Sequence, residues 1–177
     1  IEKADCFFRN IAKYKLFGIE VAKRNILLYG PAGSGKSTSL AKVCEKYIAD
    51  GKTLVVIFPT DKLDSYMVKD FIKRFDYKNG VEKLILIAED LGGVEIAQRE
   101  VASDSSLLSL LDNQEKTFKI PTLIIATTNY PEIFMANITN RPGRFDDKIK
   151  VDYPPAEARL ALLKFFVKDH LELSIKA

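Results

Sequence analysis

Hydrophobic and polar positions along the chain fall into two alternating patterns. Short apolar runs recur at residues 25–29, 53–58, 84–88, 122–126 and 148–152, each four to eight residues long and rich in branched side chains. Between them the apolar positions repeat with a helical period. Leu40, Val43, Cys44, Tyr47 and Ile48 share one face, as do Met67, Val68, Phe71, Ile72 and Phe75. Leu107, Leu108, Leu110 and Leu111 form a third stripe. Strands alternating with helices predict an α/β domain built on a five-stranded parallel sheet sandwiched between helices. In such a sheet, ligands bind beyond the C-terminal ends of the strands.

The texture changes after Asp152. Pro154 and Pro155 break the chain, and residues 156–168 then read as a helix with Leu160, Leu163 and Phe166 or Val167 turned inward. The expected organisation is a helical lead-in over residues 1–24, an α/β core over 25–153, and the start of a helical lid over 154–177 that the chain does not complete.

Polar motifs follow the strand ends. After the first run comes Gly30, Pro31, Ala32, Gly33, Ser34, Gly35, Lys36, Ser37 and Thr38, a G-x-x-x-x-G-K-[ST] loop between a strand and a helix. Glycines let backbone N–H groups converge on phosphate oxygens, and the helix beginning near Gly35 adds its positive dipole end. Lys36 is placed to reach the β- and γ-phosphates, and Ser37 to ligate Mg²⁺. Thr38 packs at the helix N-terminus. The cofactors implied are ATP and Mg²⁺.

The third apolar run ends in Glu89 and Asp90. Downstream of a phosphate loop, two carboxylates at a strand tip serve a metal ion and an attacking water. Two registers are open: Glu89 faces the metal and Asp90 the water, or Ala88 replaces the metal-side acid and Glu89 is the catalytic one. The fourth run leads to Asn129, which at a neighbouring strand tip can orient water or contact the γ-phosphate. Arg141 and Arg144 follow, three residues apart and separated by Pro142 and Gly143.

Taken together these parts resemble the AAA branch of the AAA+ ATPases, over nearly the whole chain. They are the Walker A loop at residues 30–38, the Walker B strand at 84–90, the sensor at 126–129, and Arg141-Pro-Gly-Arg-Phe-Asp146, the most specific of the four. The resemblance implies that Asn129 is sensor 1 and that Arg141 and Arg144 are arginine fingers acting on the neighbouring subunit's nucleotide. It also implies a ring, usually of six subunits. In the family pattern an apolar residue follows the second acid, which Leu91 matches if Glu89 is the metal-side acid and Asp90 the water-side one, so the resemblance favours that register; the Glu-then-Asp order looks like that of the branch containing the mitochondrial Rieske-protein translocase. Departures are Ala136-Asn-Ile-Thr139 in place of Asp-Pro-Ala-Leu, and Val68 in place of a glycine after Tyr66 and Met67, the candidate pore pair. Residues 92–99 are a second candidate pore loop by position.

Bulk composition narrows the partners. A net charge of +3 does not by itself argue for nucleic acid, although Arg9, Lys13, Lys15, Lys23 and Arg24 gather early. His170 is the sole histidine, which argues against His-based catalysis and His-rich metal sites, and Cys6 and Cys44 have no metal-binding spacing. No apolar run approaches the roughly 20 residues of a membrane span. The expectation is an intracellular, cytoplasmic ATPase; because the chain begins with Ile1 it reads as an excised domain from which targeting segments can be missing. Its expected function is Mg-ATP hydrolysis in a ring-shaped motor acting on a macromolecular cargo, protein favoured over DNA. The alternatives are a clamp or helicase loader, a nucleotide switch with weak hydrolysis, and a small-molecule kinase.

Overall fold

The computed structural model describes residues 1–59, 65–74, 80–91, 111, 118–131 and 144–175, with the side chains of 59, 65–67, 69, 73 and 168–175 excepted. Among them are five strands, β1 (Lys23–Tyr29), β2 (Thr53–Pro59), β3 (Lys83–Glu89), β4 (Thr122–Thr128) and β5 (Asp147–Lys150). The described helices are α1 (Glu2–Arg9), α2 (Ile11–Leu16), α3 (Lys36–Ile48), α4 (Ser65–Arg74) and α5 (Ala156–Ile175). The strands form one sheet in the order β2-β3-β4-β1-β5, with every pairing parallel.

The order explains the burial. In β4, a central strand, all seven residues are buried, Thr127 and Thr128 included. In β5, an edge strand, none is. The alternation of a pleated strand splits β3 between two cores. Ile85 and Ile87 face Leu40, Val43 and Tyr47 of α3 and Ala4 and Phe7 of α1. Leu84, Leu86 and Ala88 face Val68 and Ile72 of α4, with Leu111 and Phe145. The N-terminal helix therefore shares its core with the sheet. Asp5 fastens it to α3 by accepting hydrogen bonds from Lys46 Nζ at 2.6 Å and Tyr47 Oη at 2.7 Å.

Observed strands extend one to two residues beyond most of the apolar runs, because polar tips continue the ladder after hydrophobicity ends. The last is shifted: β5 stops at Lys150, although the Val151 N–H still donates to Tyr29 O at 2.8 Å. In α3 Leu40, Val43 and Tyr47 of the predicted face are buried, Cys44 is partly buried and Ile48 is exposed, and in α4 Val68 and Ile72 are buried while Phe71 is not. The largest correction concerns α5. Leu160, Leu163, Phe166 and Val167, expected to turn inward, are all exposed, as are Leu162 and Phe165. This helix is apolar on every side, so its period marks no inward face. Of the third stripe only Leu111 lies within the described residues, fully buried. Of the early cations, Arg24 is paired with Asp147 at 2.7 Å and Lys23 donates to the Leu111 carbonyl at 2.7 Å, so both are held by the chain itself. No described helix is long and apolar enough to cross a membrane.

Candidate active site

The C-terminal ends of β1, β3 and β4 border a cleft of about 450 Å³. The loop leaving β1 is shaped by its glycines. Gly30 is wedged between strands: its N–H donates to Thr128 O at 3.3 Å, and a Cβ there would overlap the Val151 carbonyl oxygen. Gly33 and Gly35 have φ of 75° and 93°, a left-handed conformation that side-chain-bearing residues adopt at a cost. These turns bring residues 32–33 and 35–38 to the cleft, with Ser37 and Thr38 exposed to it. Pro31 and Ser34 lie behind, and Ser34 is buried.

Lys36 opens α3 and is buried. Its ammonium donates to the carbonyls of Gly30 and Pro31, both at 2.8 Å, and to Ser34 Oγ at 3.5 Å. Burial lowers its pKa, opposed by the Asp90 carboxylate.

The two acids occupy different places. Glu89, the last residue of β3, continues the Ile85–Ile87 face on which α3 packs, and it lines the cleft. Ala88 lies on the opposite face, 3% exposed, among α4-side residues. Asp90 lies one residue past the strand with φ of 55°. Its N–H donates to Thr127 Oγ1 at 2.8 Å, and its Oδ1 accepts from Asn129 Nδ2 at 2.6 Å. The structure therefore gathers Lys36, Ser37, Thr38, Glu89, Asp90 and Asn129 at one cleft. Thr127, which sequence patterning left as the end of a strand, lines it as well. A second hollow of about 530 Å³ adjoins it, sharing Thr38 and walled by apolar residues including Leu28, Val43, Ile149 and Val151.

Of the two arginines, Arg144 is described and does not line the cleft. Arg141 lies outside the described residues, as do residues 92–99 and the side chains of Tyr66 and Met67, which belong to the first turn of α4. Arg144 is 5% exposed, so it is not presented at the surface of this chain as the motif led one to expect. The physical reason is its neighbour: Phe145 packs into the α4-side core and draws the segment inward. Asn25, near the start of β1, completes the anchorage. Its Nδ2 donates to Arg144 O at 2.7 Å, its N–H to Asp146 Oδ2 at 2.7 Å, and its carbonyl accepts from the Asp146 N–H at 2.9 Å. A polar residue opening an apolar strand was the available signal for it.

Among the described residues no cluster of three or more His, Cys, Asp or Glu side chains is placed to hold a metal unaided. What the cleft offers is a hydroxyl oxygen and carboxylates, hard donors of the kind Mg²⁺ uses when phosphates complete its shell.

Comparison with known proteins agrees with this geometry. The model of the ATPase family associated with various cellular activities (AAA) matches residues 26–153. A proteasome-activating nucleotidase of Methanocella arvoryzae is 33% identical over 174 residues, covering 88% of this chain and 38% of the relative. The ATPase family gene 2 protein of Schizosaccharomyces pombe is 26% identical over 166 residues, with 90% and 20% covered. An ATP-dependent zinc metalloprotease FtsH 1 of Methylacidiphilum infernorum is 29% identical over 170 residues, with 89% and 26% covered. The chain thus spans between 20% and 38% of the length of these relatives. With a phosphate loop, an acidic strand tip and an asparagine meeting at the open end of a parallel sheet, and a family model matching residues 26–153, the chain belongs to the AAA family of ATPases.

Proposed function

We propose that this domain binds and hydrolyses Mg-ATP as the motor module of a ring, of six subunits by family resemblance, that remodels or translocates a protein. The observation that carries the proposal is the placement of the acids. Glu89 lies on the α3 side, where Ser37 opens to the cleft, whereas Asp90 is bonded to Asn129. That division suits Glu89 and Ser37 to Mg²⁺, which when bound neutralises phosphate charge. It suits Asp90 and Asn129 to the attacking water. Ala88, pointing to the other face, is poorly placed for a metal-side role, which favours the Glu89-metal, Asp90-water register.

Lys36 exchanges its two loop carbonyls for phosphate oxygens as ATP enters, and the backbone N–H groups of residues 33–38 cradle the phosphates. The adjoining apolar hollow accommodates the nucleobase. Asp90 accepts a hydrogen bond from the water and Asn129 holds that carboxylate in place. Asn25 and Gly30 are five residues apart on one strand, about 17 Å at strand rise. The Arg144 segment, anchored at Asn25, is that far from its own phosphate loop, which supports arginine action on another subunit's nucleotide. Arg141 is the better candidate for that role; Arg144, being buried, acts by holding the turn unless assembly uncovers it. Protein is favoured as cargo because relatives bear the names proteasome-activating nucleotidase and metalloprotease. The Glu-then-Asp order keeps the likeness to the Rieske-protein translocase branch as a finer proposal.

ATP turnover by the full-length protein, beside its Glu89→Gln and Asp90→Asn variants, tests the assignment. Asp90→Asn is expected to bind Mg-ATP and stop hydrolysis, and Glu89→Gln to weaken metal-dependent binding. A harmless Asp90→Asn together with a Glu89→Gln that traps ATP reverses the roles. Absence of turnover in the parent, with unfolded protein or with DNA, replaces the motor by a nucleotide switch.

A further inference from the structure

We infer that Thr127 is a positioning residue for hydrolysis, one that fixes the Asp90 carboxylate at the cleft by gripping the Asp90 backbone. The inference rests on the proposed role of Asp90 as the water-side acid. Asp90 is the only non-glycine residue with a left-handed φ among the described residues. Aspartate tolerates that region better than most residues, but it is still a conformation that must be imposed from outside.

Thr127 supplies the imposition from both of its polar groups. Its Oγ1 accepts the Asp90 N–H at 2.8 Å, and its carbonyl accepts the Leu91 N–H at 2.7 Å. Consecutive amides on either side of the Asp90 side chain are thereby tied to one residue. The regular pairing of β3 with β4 ends at Ala88 and Ala126, so the Thr127 hydroxyl takes over just where the ladder stops. Thr128 reinforces the turn by donating its hydroxyl to Leu91 O at 2.6 Å. The turn directs the Asp90 carboxylate to Asn129 at 2.6 Å, at the cleft, instead of along the strand.

Thr127 itself is 3% exposed and half its role is played by a backbone carbonyl that any residue has. The part that depends on its identity is the hydroxyl acceptor. Valine keeps the β-branched shape and removes the acceptor, whereas serine keeps the acceptor. Without the acceptor, the Asp90 N–H is left unpaired at the strand tip and the chain is free to return to an extended path.

The experiment compares Thr127→Val, Thr127→Ser and Asp90→Asn in the full-length protein. Steady-state ATP hydrolysis gives kcat, and titration with a fluorescent ATP analogue in the presence of Mg²⁺ gives nucleotide affinity. Thr127→Val is expected to lower kcat by about tenfold or more, part of the 10²- to 10⁴-fold that a positioned acid–base group contributes, with affinity changed by less than about threefold. Thr127→Ser is expected to recover most of kcat. Should Asp90→Asn abolish turnover while Thr127→Val hydrolyses at the parent rate, the positioning role is overturned and the assignment of Asp90 stands. Should Asp90→Asn hydrolyse normally, the assignment of Asp90 itself has failed. Equal losses of kcat and affinity in Thr127→Val, without recovery in Thr127→Ser, would mean a structural role only and would also overturn the inference. If Thr127→Val does not fold, as judged by its thermal melt, Thr127→Ala takes its place under the same criteria.

Discussion

Asn25 carries an amide into an apolar strand and is completely buried. Its Nδ2 serves the carbonyls of Arg144 and Leu111, at 2.7 and 3.4 Å, while its Oδ1 has no partner among the described residues. A buried acceptor without a donor costs free energy, so the residue is held there by what the other half of the amide does. Asn25→Ala strips the Arg144 carbonyl of its buried donor and is expected to destabilise the domain by about 1–3 kcal/mol. A shift of the urea midpoint at unchanged slope would measure this; an unshifted midpoint would show that the anchorage is dispensable. The same residue illustrates what a sequence conveys. Residues 30–38 were legible because their chemistry is local: spacing, glycines and one lysine make the site. Asn25 and Thr127 act across strands, on segments far away in the chain, and their meaning depends on a register that periodicity does not set. The burial of Arg144 was likewise not legible, because it follows from tertiary packing beside Phe145 and not from the motif.

At the level of elements, the strands were legible because runs buried on both faces need no alternation to be recognised. The ends were less so, since Thr127 and Thr128 continue β4 by hydrogen bonding after apolar character has stopped. Helices divide by whether a distinct stripe exists. In α3 the stripe of Leu40, Val43 and Tyr47 points to the sheet, as its spacing requires. In α5 apolar residues surround the axis, so several faces fit a helical period equally and the choice of Leu160, Leu163 and Phe166 as inward had no physical basis. By contrast α1, which precedes the first strand and resembles a lead-in, inserts Phe7 at 1% exposure into the α3-side core. The two helices therefore predict opposite responses. Phe7→Ala is expected to destabilise the fold by about 3–5 kcal/mol, the range for a buried aromatic ring. Phe166→Ser, in a helix exposed along the described part of its length, is expected to stay within about 0.5 kcal/mol. Denaturant unfolding of the isolated 177-residue chain distinguishes them, and comparable losses in both would mean that α5 folds onto the core in solution.

Across the whole molecule the sheet has a polarity, and the proposed chemistry follows it. The phosphate loop, Glu89, Asp90 and Asn129 lie at the C-terminal ends of the strands, while the arginine-bearing segment is tied to Asn25 near the start of β1. Asn25 lies five residues before Gly30, about 17 Å at strand rise, and in the proposed ring the hydrolytic site would be completed by an arginine of a second chain. The consequence can be measured by mixing. Full-length Arg141→Ala retains a phosphate loop but offers no arginine, and Lys36→Ala retains the arginine but binds nucleotide poorly. Each alone is expected to be nearly inactive. Mixed in equal amounts and allowed to exchange subunits, they create interfaces at which an intact loop meets an intact arginine. ATP turnover should then exceed the sum of the separate activities by several-fold and fall again on dilution. A mixture that merely averages its components, under conditions where light scattering shows mixed assemblies, would sink the two-chain site and leave Arg141 with a role inside its own chain.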